Sequence, residues 1–198
     1  SVSMPSFNFA LDIALYDILS QQKNVSIAKY ITPNALDNIK ISGIYLNNDS
    51  TVSNIIKVKL LCQNVDDDIN MVLDIVKKYN GNILLRLDAN RGYDINEAIK
   101  LCNSIDLSKI QYFEEPLKEV NYSNFKKFKK KTGVSIAMDE TLYMDDYRLY
   151  IESNLIDYVV LKPSIFGSIE KILAFQQYAL KFSLNIVLSS SLENYIGN

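Results

Sequence analysis

Short apolar runs alternate with helical patterns along nearly the whole chain, and this rhythm limits the possible folds more than any other feature. Extended runs are expected at residues 41–46, 55–61, 83–87, 110–113, 135–138, 157–161 and 185–188. Helical faces lie between them. Ile69, Val72, Leu73 and Val76 form one, which Gly81 ends, and Ile95, Ala98, Ile99 and Cys102 form the next. Residues 122–131 form a short helix that turns Phe125 and Phe128 inward and stops at Gly133. Residues 145–153 form another. Ile169, Ile172, Phe175, Ala179 and Phe182 mark a long helix with Ser168 as its N-cap. An opening helix over 9–19 carries Leu11, Ala14, Leu15, Ile18 and further apolar positions around its circumference, so burial is expected for it.

Strand–helix units joined by short loops imply a parallel sheet. Seven such strands in 198 residues fit an α/β (β/α)8 TIM-type barrel, incomplete here because no eighth strand follows. An open, doubly wound sheet fits the same rhythm. No Gly-x-Gly-x-x-Gly follows any strand, which argues against a dinucleotide site.

Histidine is absent. That excludes Ser-His-Asp and Cys-His nucleophiles and histidine-held zinc. Acid–base chemistry must run on Lys, Asp, Glu, Tyr or Cys, and any metal would be oxygen-ligated, as Mg²⁺ or Mn²⁺ are. A net charge of −2 provides no basic field for nucleic acid. Lysines cluster only at Lys126–Lys131, where a solvated helix face is expected. Cys62 and Cys102 are expected as reduced, buried thiols of a cytoplasmic protein. No apolar run approaches a membrane span, and Ser-Val-Ser-Met-Pro at the N-terminus lacks the pattern of a signal peptide.

Polar residues gather where strands end, which in a barrel is the face that carries active sites. The second strand holds Lys57 and Lys59, two apart and therefore on one side. The third ends Arg86-Leu87-Asp88-Ala89-Asn90, the fourth Glu114-Glu115-Pro116, the fifth Asp139-Glu140, the sixth Lys162-Pro163 and the seventh Ser189-Ser190-Ser191. Three converging carboxylates would repel one another and raise each other's pKa unless a cation intervenes. A divalent ion there could bind a substrate carboxylate and stabilise the dianion left when an α-proton departs. A lysine beside such an ion would have its pKa lowered by cationic neighbours and could serve as the base.

Lys-x-Lys, Leu-Asp-Ala-Asn, Glu-Glu-Pro, Asp-Glu and Lys-Pro, in this order on successive strands, resemble the enolase superfamily. The lysine pair and the missing histidine resemble its muconate-lactonizing subgroup. Pro5-Ser6-Phe7-Asn8-Phe9-Ala10-Leu11, Arg86–Arg91 and Ser189-Ser190-Ser191-Leu192-Glu193 look most like the o-succinylbenzoate synthase family. Glu193-Asn194-Tyr195 departs from the Glu-Ser-Ser of that pattern.

The resemblance implies a Mg²⁺-dependent lyase, Mn²⁺ being possible. It would dehydrate 2-succinyl-6-hydroxy-2,4-cyclohexadiene-1-carboxylate to o-succinylbenzoate through an enediolate, in menaquinone biosynthesis. Lys59 matches the base, and Lys162 the cationic lysine on the opposite face. Asp88, Glu114 and Asp139 match the metal ligands. Lys57, Arg86, Asn90, Ser189 and Ser191 match substrate-binding or supporting positions. Glu115 and Glu140, turned away by alternation, are expected behind the ligands. The implied partner is a small-molecule carboxylate, with no nucleic acid or membrane. Residues 1–40 would be the trailing helix and linker of a capping domain that is largely absent, and 41–198 the barrel without its last strand. An N-acylamino acid racemase or dipeptide epimerase of the same subgroup, or an inactive metal-binding fragment, are the alternatives.

Overall fold

The structure, a computed structural model, describes residues 4–45 and 53–191. Leu46 at the end of the first expected strand and Leu192–Tyr195 of the C-terminal motif lie outside the described residues. The elements run α1 (Pro5–Gln22), α2 (Ile27–Ile31), β1 (Gly43–Ile44), β2 (Ile55–Lys59), α3 (Val65–Lys78), β3 (Leu84–Asp88), α4 (Ile95–Ser104), β4 (Ile110–Glu114), α5 (Tyr122–Thr132), β5 (Ile136–Met138), α6 (Tyr147–Glu152), β6 (Tyr158–Leu161), α7 (Pro163–Phe166), α8 (Ile169–Lys181) and β7 (Asn185–Leu188). Seven strands form one sheet in the order β1 to β7. Sequential order with helical crossovers is the topology of a parallel α/β barrel wall, not of a doubly wound sheet, whose strand order reverses.

Two compact units are distinguished. The larger comprises Ile41–Val159 with Phe182–Asn185, and the smaller Ser1–Lys40, Val160–Lys181 and Ile186–Asn198. In the larger, alternation along the strands sorts side chains into two faces. Ile56, Val58, Leu85, Leu87 and Phe113 are fully buried. The helices supply matching apolar stripes, with Val72 and Ile75 of α3, Ala98 and Leu101 of α4, and Phe125 and Phe128 of α5 all buried. The Phe128 ring meets Phe113 edge to face at 6.1 Å, which seats α5 on β4. Each such buried Val, Leu, Ile or Phe side chain contributes about 1.5–3 kcal/mol relative to exposure.

Helix ends follow local chemistry. Asp94 and Glu97 form a capping box at the start of α4. Gly133 closes α5 at φ 68°, a left-handed conformation that glycine adopts without strain.

In the smaller unit α1 packs along α7. Ser6 Oγ donates to the Ser164 carbonyl at 2.9 Å. Asp12 Oδ2 accepts the Ile169 N–H at 2.7 Å and caps α8. The expected burial of α1 is not found. Leu11, Leu15 and Ile18 are about half exposed, and Ser20 is its one buried residue. Apolar residues all round a helix need partners on every side, and α2 and α7 cover only part of this circumference.

Two further expectations shift. The helix expected at 145–153 is shorter, and a 3₁₀ turn at Glu140–Tyr143 precedes it. Cys62 is half-buried, not buried, while Cys102 is buried, and both thiols are free.

Candidate active site

Strand register brings the polar side chains of the larger unit together. Lys57 pairs with Arg86 and Lys59 with Asp88 between β2 and β3. Arg86 pairs with Tyr112 and Asp88 with Glu114 between β3 and β4. Glu114 pairs with Ala137 of β5, and Asp139 follows directly after Met138, that strand's last residue. Neighbours in a parallel register share a face, so Lys57, Lys59, Arg86, Asp88, Tyr112 and Glu114 line the side opposite the helices, and Asp139 is close enough to act electrostatically on Glu114.

The carboxylates are deeply buried: Glu114 is 0% exposed, Asp139 3% and Asp88 5%. Lys57 Nζ lies 2.8 Å from Asp88 Oδ2 and 2.9 Å and 3.0 Å from the two Glu114 oxygens. Burial alone would lower the Lys57 pKa, but the charges of Glu114 and Asp88 prevail and raise it above the ordinary lysine value. Glu114 moves upward too. Its burial is the largest cause and Asp88 the next, Lys57 pulls the other way, and Asp139 adds to the rise. The two shifts are consistent, because the Lys57 ammonium is shared between two buried acids that repel each other.

Among the described residues no group of three or more Cys, Asp or Glu side chains is arranged to hold a metal ion as it stands. Lys57 stands between Asp88 and Glu114. The donor chemistry nonetheless fits an oxygen-ligated divalent ion. Three carboxylates lie at the ends of adjacent strands, Lys57 bridges two of them, and Glu140 Oε2 is buried without a hydrogen-bond partner among the described residues. Asp88 and Glu114 offer Lys57 two anions at hydrogen-bond distance.

Lys59 is exposed on the same face, at the end of β2 beside Asp88. Arg86 sits one step further from the strand ends. Its Nε donates to Gln111 Oε1 at 2.7 Å, its Nη1 reaches Ser42 Oγ at 3.4 Å, and its guanidinium lies over the Tyr112 ring. Asn90 donates its backbone N–H to Asp88 Oδ1 at 3.1 Å and its amide to Glu140 Oε1 at 3.3 Å. Both residues orient neighbours in this structure. Lys162, Ser189 and Ser191 belong to the smaller unit. Lys162 is the N-cap residue of α7, and the Ser189 N–H donates to the Leu161 carbonyl at 3.0 Å.

The chain belongs to the enolase C-terminal domain-like family. The family description matches residues 48–197, which contain every predicted site position. The o-succinylbenzoate synthase of Escherichia coli is 32% identical over 202 residues, covering 98% of this chain and 60% of that protein. The o-succinylbenzoate synthase of Aliivibrio fischeri is 30% identical over 199 residues, covering 96% of this chain and 58% of that protein. The chain therefore spans about three-fifths of the length of these curated relatives. In fold it resembles the muconate lactonizing enzyme from Pseudomonas putida, with a TM-score of 0.85 at 18% identity over 99% of this chain and 58% of that one. It is equally similar to the dipeptide epimerase from Enterococcus faecalis, with a TM-score of 0.85 at 23% identity over 100% of this chain and 59% of that one.

Within this family member, Glu115 and three polar residues that strand-end reasoning does not single out, Asp68, Arg91 and Thr141, hold the site loops. Glu115, on the opposite side of β4 from Glu114, is 1% exposed. Its carboxylate is shared by Arg91, Thr141 and the backbone of Asp139. Asp68 of α3 is fully buried and accepts the Leu61 and Cys62 N–H groups, each at 2.9 Å, together with the Tyr93 hydroxyl. Arg91 could have been suspected from its place beside Asp88-Ala89-Asn90. Asp68 could not, because acids in a first helical turn are usually there for the helix dipole.

Proposed function

We propose that the chain carries the metal-binding and acid–base groups of a Mg²⁺-dependent lyase that dehydrates 2-succinyl-6-hydroxy-2,4-cyclohexadiene-1-carboxylate to o-succinylbenzoate. The observation that carries this reading is the crowding of three buried carboxylates on adjacent strand ends, with two lysines in register beside them. The o-succinylbenzoate synthases at 30–32% identity support the choice of reaction.

Asp88, Glu114 and Asp139 would hold the ion. When bound, it supplies the positive charge that makes an α-carboxylate's neighbouring proton removable. Lys59 takes that proton on Nζ from the ring carbon that bears the carboxylate. The same ammonium then returns a proton to the departing hydroxyl, which leaves as water as the ring becomes aromatic. Lys57, released from Asp88 and Glu114, orients the substrate carboxylate. Lys162 is assigned, on the family resemblance alone, as a cation that favours the enediolate. Arg86 keeps the strand register by bridging Gln111 and Ser42.

The test is loss of the diene's ultraviolet absorbance in the presence of Mg²⁺. Loss that EDTA abolishes and Lys59→Ala removes, with the fold retained, supports the proposal. A folded protein that binds Mg²⁺ yet leaves the diene intact would falsify it.

A further inference from the structure

Four hydrogen bonds converge on the Glu115 carboxylate. Oε1 accepts the Asp139 N–H at 2.8 Å and the Thr141 N–H at 2.7 Å. Oε2 accepts the Thr141 hydroxyl at 2.7 Å and the Arg91 Nε–H at 3.1 Å. Arg91 Nη2 in turn donates to Thr141 Oγ1 at 3.0 Å, which closes a ring of three side chains. The Arg91 backbone N–H also donates to the Glu115 carbonyl at 2.7 Å.

We propose that Glu115, clamped by Arg91 and Thr141, is a positioning residue that aims the Asp139 carboxylate, and through the Arg91 loop that of Asp88, at a shared divalent ion. This rests on the metal-dependent reading above and adds to it three residues and the way they act.

The backbone argues for the assignment. Asp139 sits at φ −117°, ψ −84°, outside regular helix or strand, and its side chain makes no cap on the turn it begins. Such a residue needs an outside constraint, and a single oxygen of Glu115 grips the peptide N–H on both sides of Glu140. Arg91 at φ 59° and Glu115 at φ 40° hold left-handed conformations that side chains resist. The clamp overrides that resistance. Asn90, next to Arg91, donates its N–H to Asp88 Oδ1, so the loop that Glu115 anchors also orients the Asp88 carboxylate. A buried acid with a purely structural task could sit anywhere in the core. This one grips the two loops that carry acids of the site.

The experiment measures Mn²⁺ affinity by electron paramagnetic resonance of the free ion, with the melting midpoint in EDTA recorded beside it. Glu115→Gln keeps size and one acceptor but turns an amide N–H toward Arg91 and the Thr141 hydroxyl. Thr141→Val keeps shape and loses only the hydroxyl. Both are expected to weaken Mn²⁺ binding by about 10-fold or more, the usual consequence of losing a support behind a metal ligand. Thr141→Ser should restore binding to within about twofold of the wild type, since it returns the hydroxyl. Wild-type affinity in folded Glu115→Gln and Thr141→Val overturns the proposal. So does weakened binding that merely tracks a lowered melting midpoint and that Thr141→Ser does not rescue. If Glu115→Gln does not fold, the threonine pair decides alone. A wild-type protein that binds no Mn²⁺ overturns the metal reading itself and this inference with it.

Discussion

Glu114 and Glu115 are neighbours in the chain, both almost wholly buried, and they live in opposite electrostatic circumstances. Glu114 lies with Asp88 and Asp139 around it, and Lys57, an ammonium that reaches it, is divided between two acids. Glu115, on the other face, meets two backbone N–H groups, a hydroxyl and a guanidinium. Asp68 resembles Glu115: it too is fully buried and satisfied by three donors. Burial of an acid therefore means two different things in one sheet. Where neutral donors or a matching cation surround it, the acid ties loops together. Where other acids surround it, their repulsion raises its pKa, and a bound cation would relieve that repulsion.

The largest effect should come from breaking a satisfied acid. Asp68→Ala orphans three donors, and at about 1–3 kcal/mol for each it should lower unfolding free energy by about 3 kcal/mol or more, read from urea titrations in EDTA. A loss below about 1 kcal/mol would mean that water reaches those donors and that the contrast with Glu114 is overstated.

Gly92 stands between Arg91 and Tyr93, and so between the two satisfied clusters. A Cβ there would lie 2.3 Å from Cys62 Sγ and 2.8 Å from the Ala89 carbonyl. Gly92→Ala is expected to cost about 1–3 kcal/mol in the same titration, the usual range for overpacking. An unchanged midpoint would show that the Cys62 loop can move away.

Opposite in sign is Glu114→Gln. Removing one of three crowded acids leaves Lys57 with Asp88, so the metal-free protein should gain about 1 kcal/mol while losing its stabilisation by Mg²⁺. Calorimetry with and without the ion reads both. A destabilised Glu114→Gln protein would mean that the Lys57–Glu114 attraction outweighs the repulsion, and the comparison would fail at its centre.

The smallest effect concerns a thiol. Burial first, and the charge of Asp68 among the lesser causes, push Cys62 up to about 11. Because the folded value exceeds the unfolded one, about 8.5, the protonated thiol contributes stability in full below pH 8.5 and loses it as pH rises toward 11. In a folded Asp68→Asn protein, iodoacetamide at pH 8.5 should label Cys62 a few-fold faster, while Cys102, pushed by burial up to about 12, stays protected. Equal Cys62 rates in both proteins would show that burial alone sets the shift.

Much of this was legible in the residues. The last strand, Asn185–Leu188, falls where expected, four others lie within their expected runs, and β3 and β4 each extend one residue past theirs, to Asp88 and Glu114. Phe125 and Phe128 point inward, and the acids end adjacent strands, because a period of two with apolar residues on one face leaves little freedom. Short segments were not legible. The helix Pro163–Phe166 is one turn long, too short for any periodicity. The exposure of α1 was hidden as well, since apolar residues indicate what a helix could bury but not whether partners cover every side. The pairing of Lys57 with Asp88 and Glu114 was not legible either, since which anion a flexible lysine meets depends on distances across three strands.

The sequence by itself determined the order of strands and helices, the side of each strand that faces the helices, and the family, because those follow from local periodicity and from short motifs in fixed order. Only the tertiary structure decided which acid is satisfied and which is not. Glu115 has partners 24 and 26 residues away in the chain at Arg91, Asp139 and Thr141, and Asp68 has one 25 residues away at Tyr93. Coulomb and hydrogen-bond energies depend on separation in space, and local patterns carry no information about it.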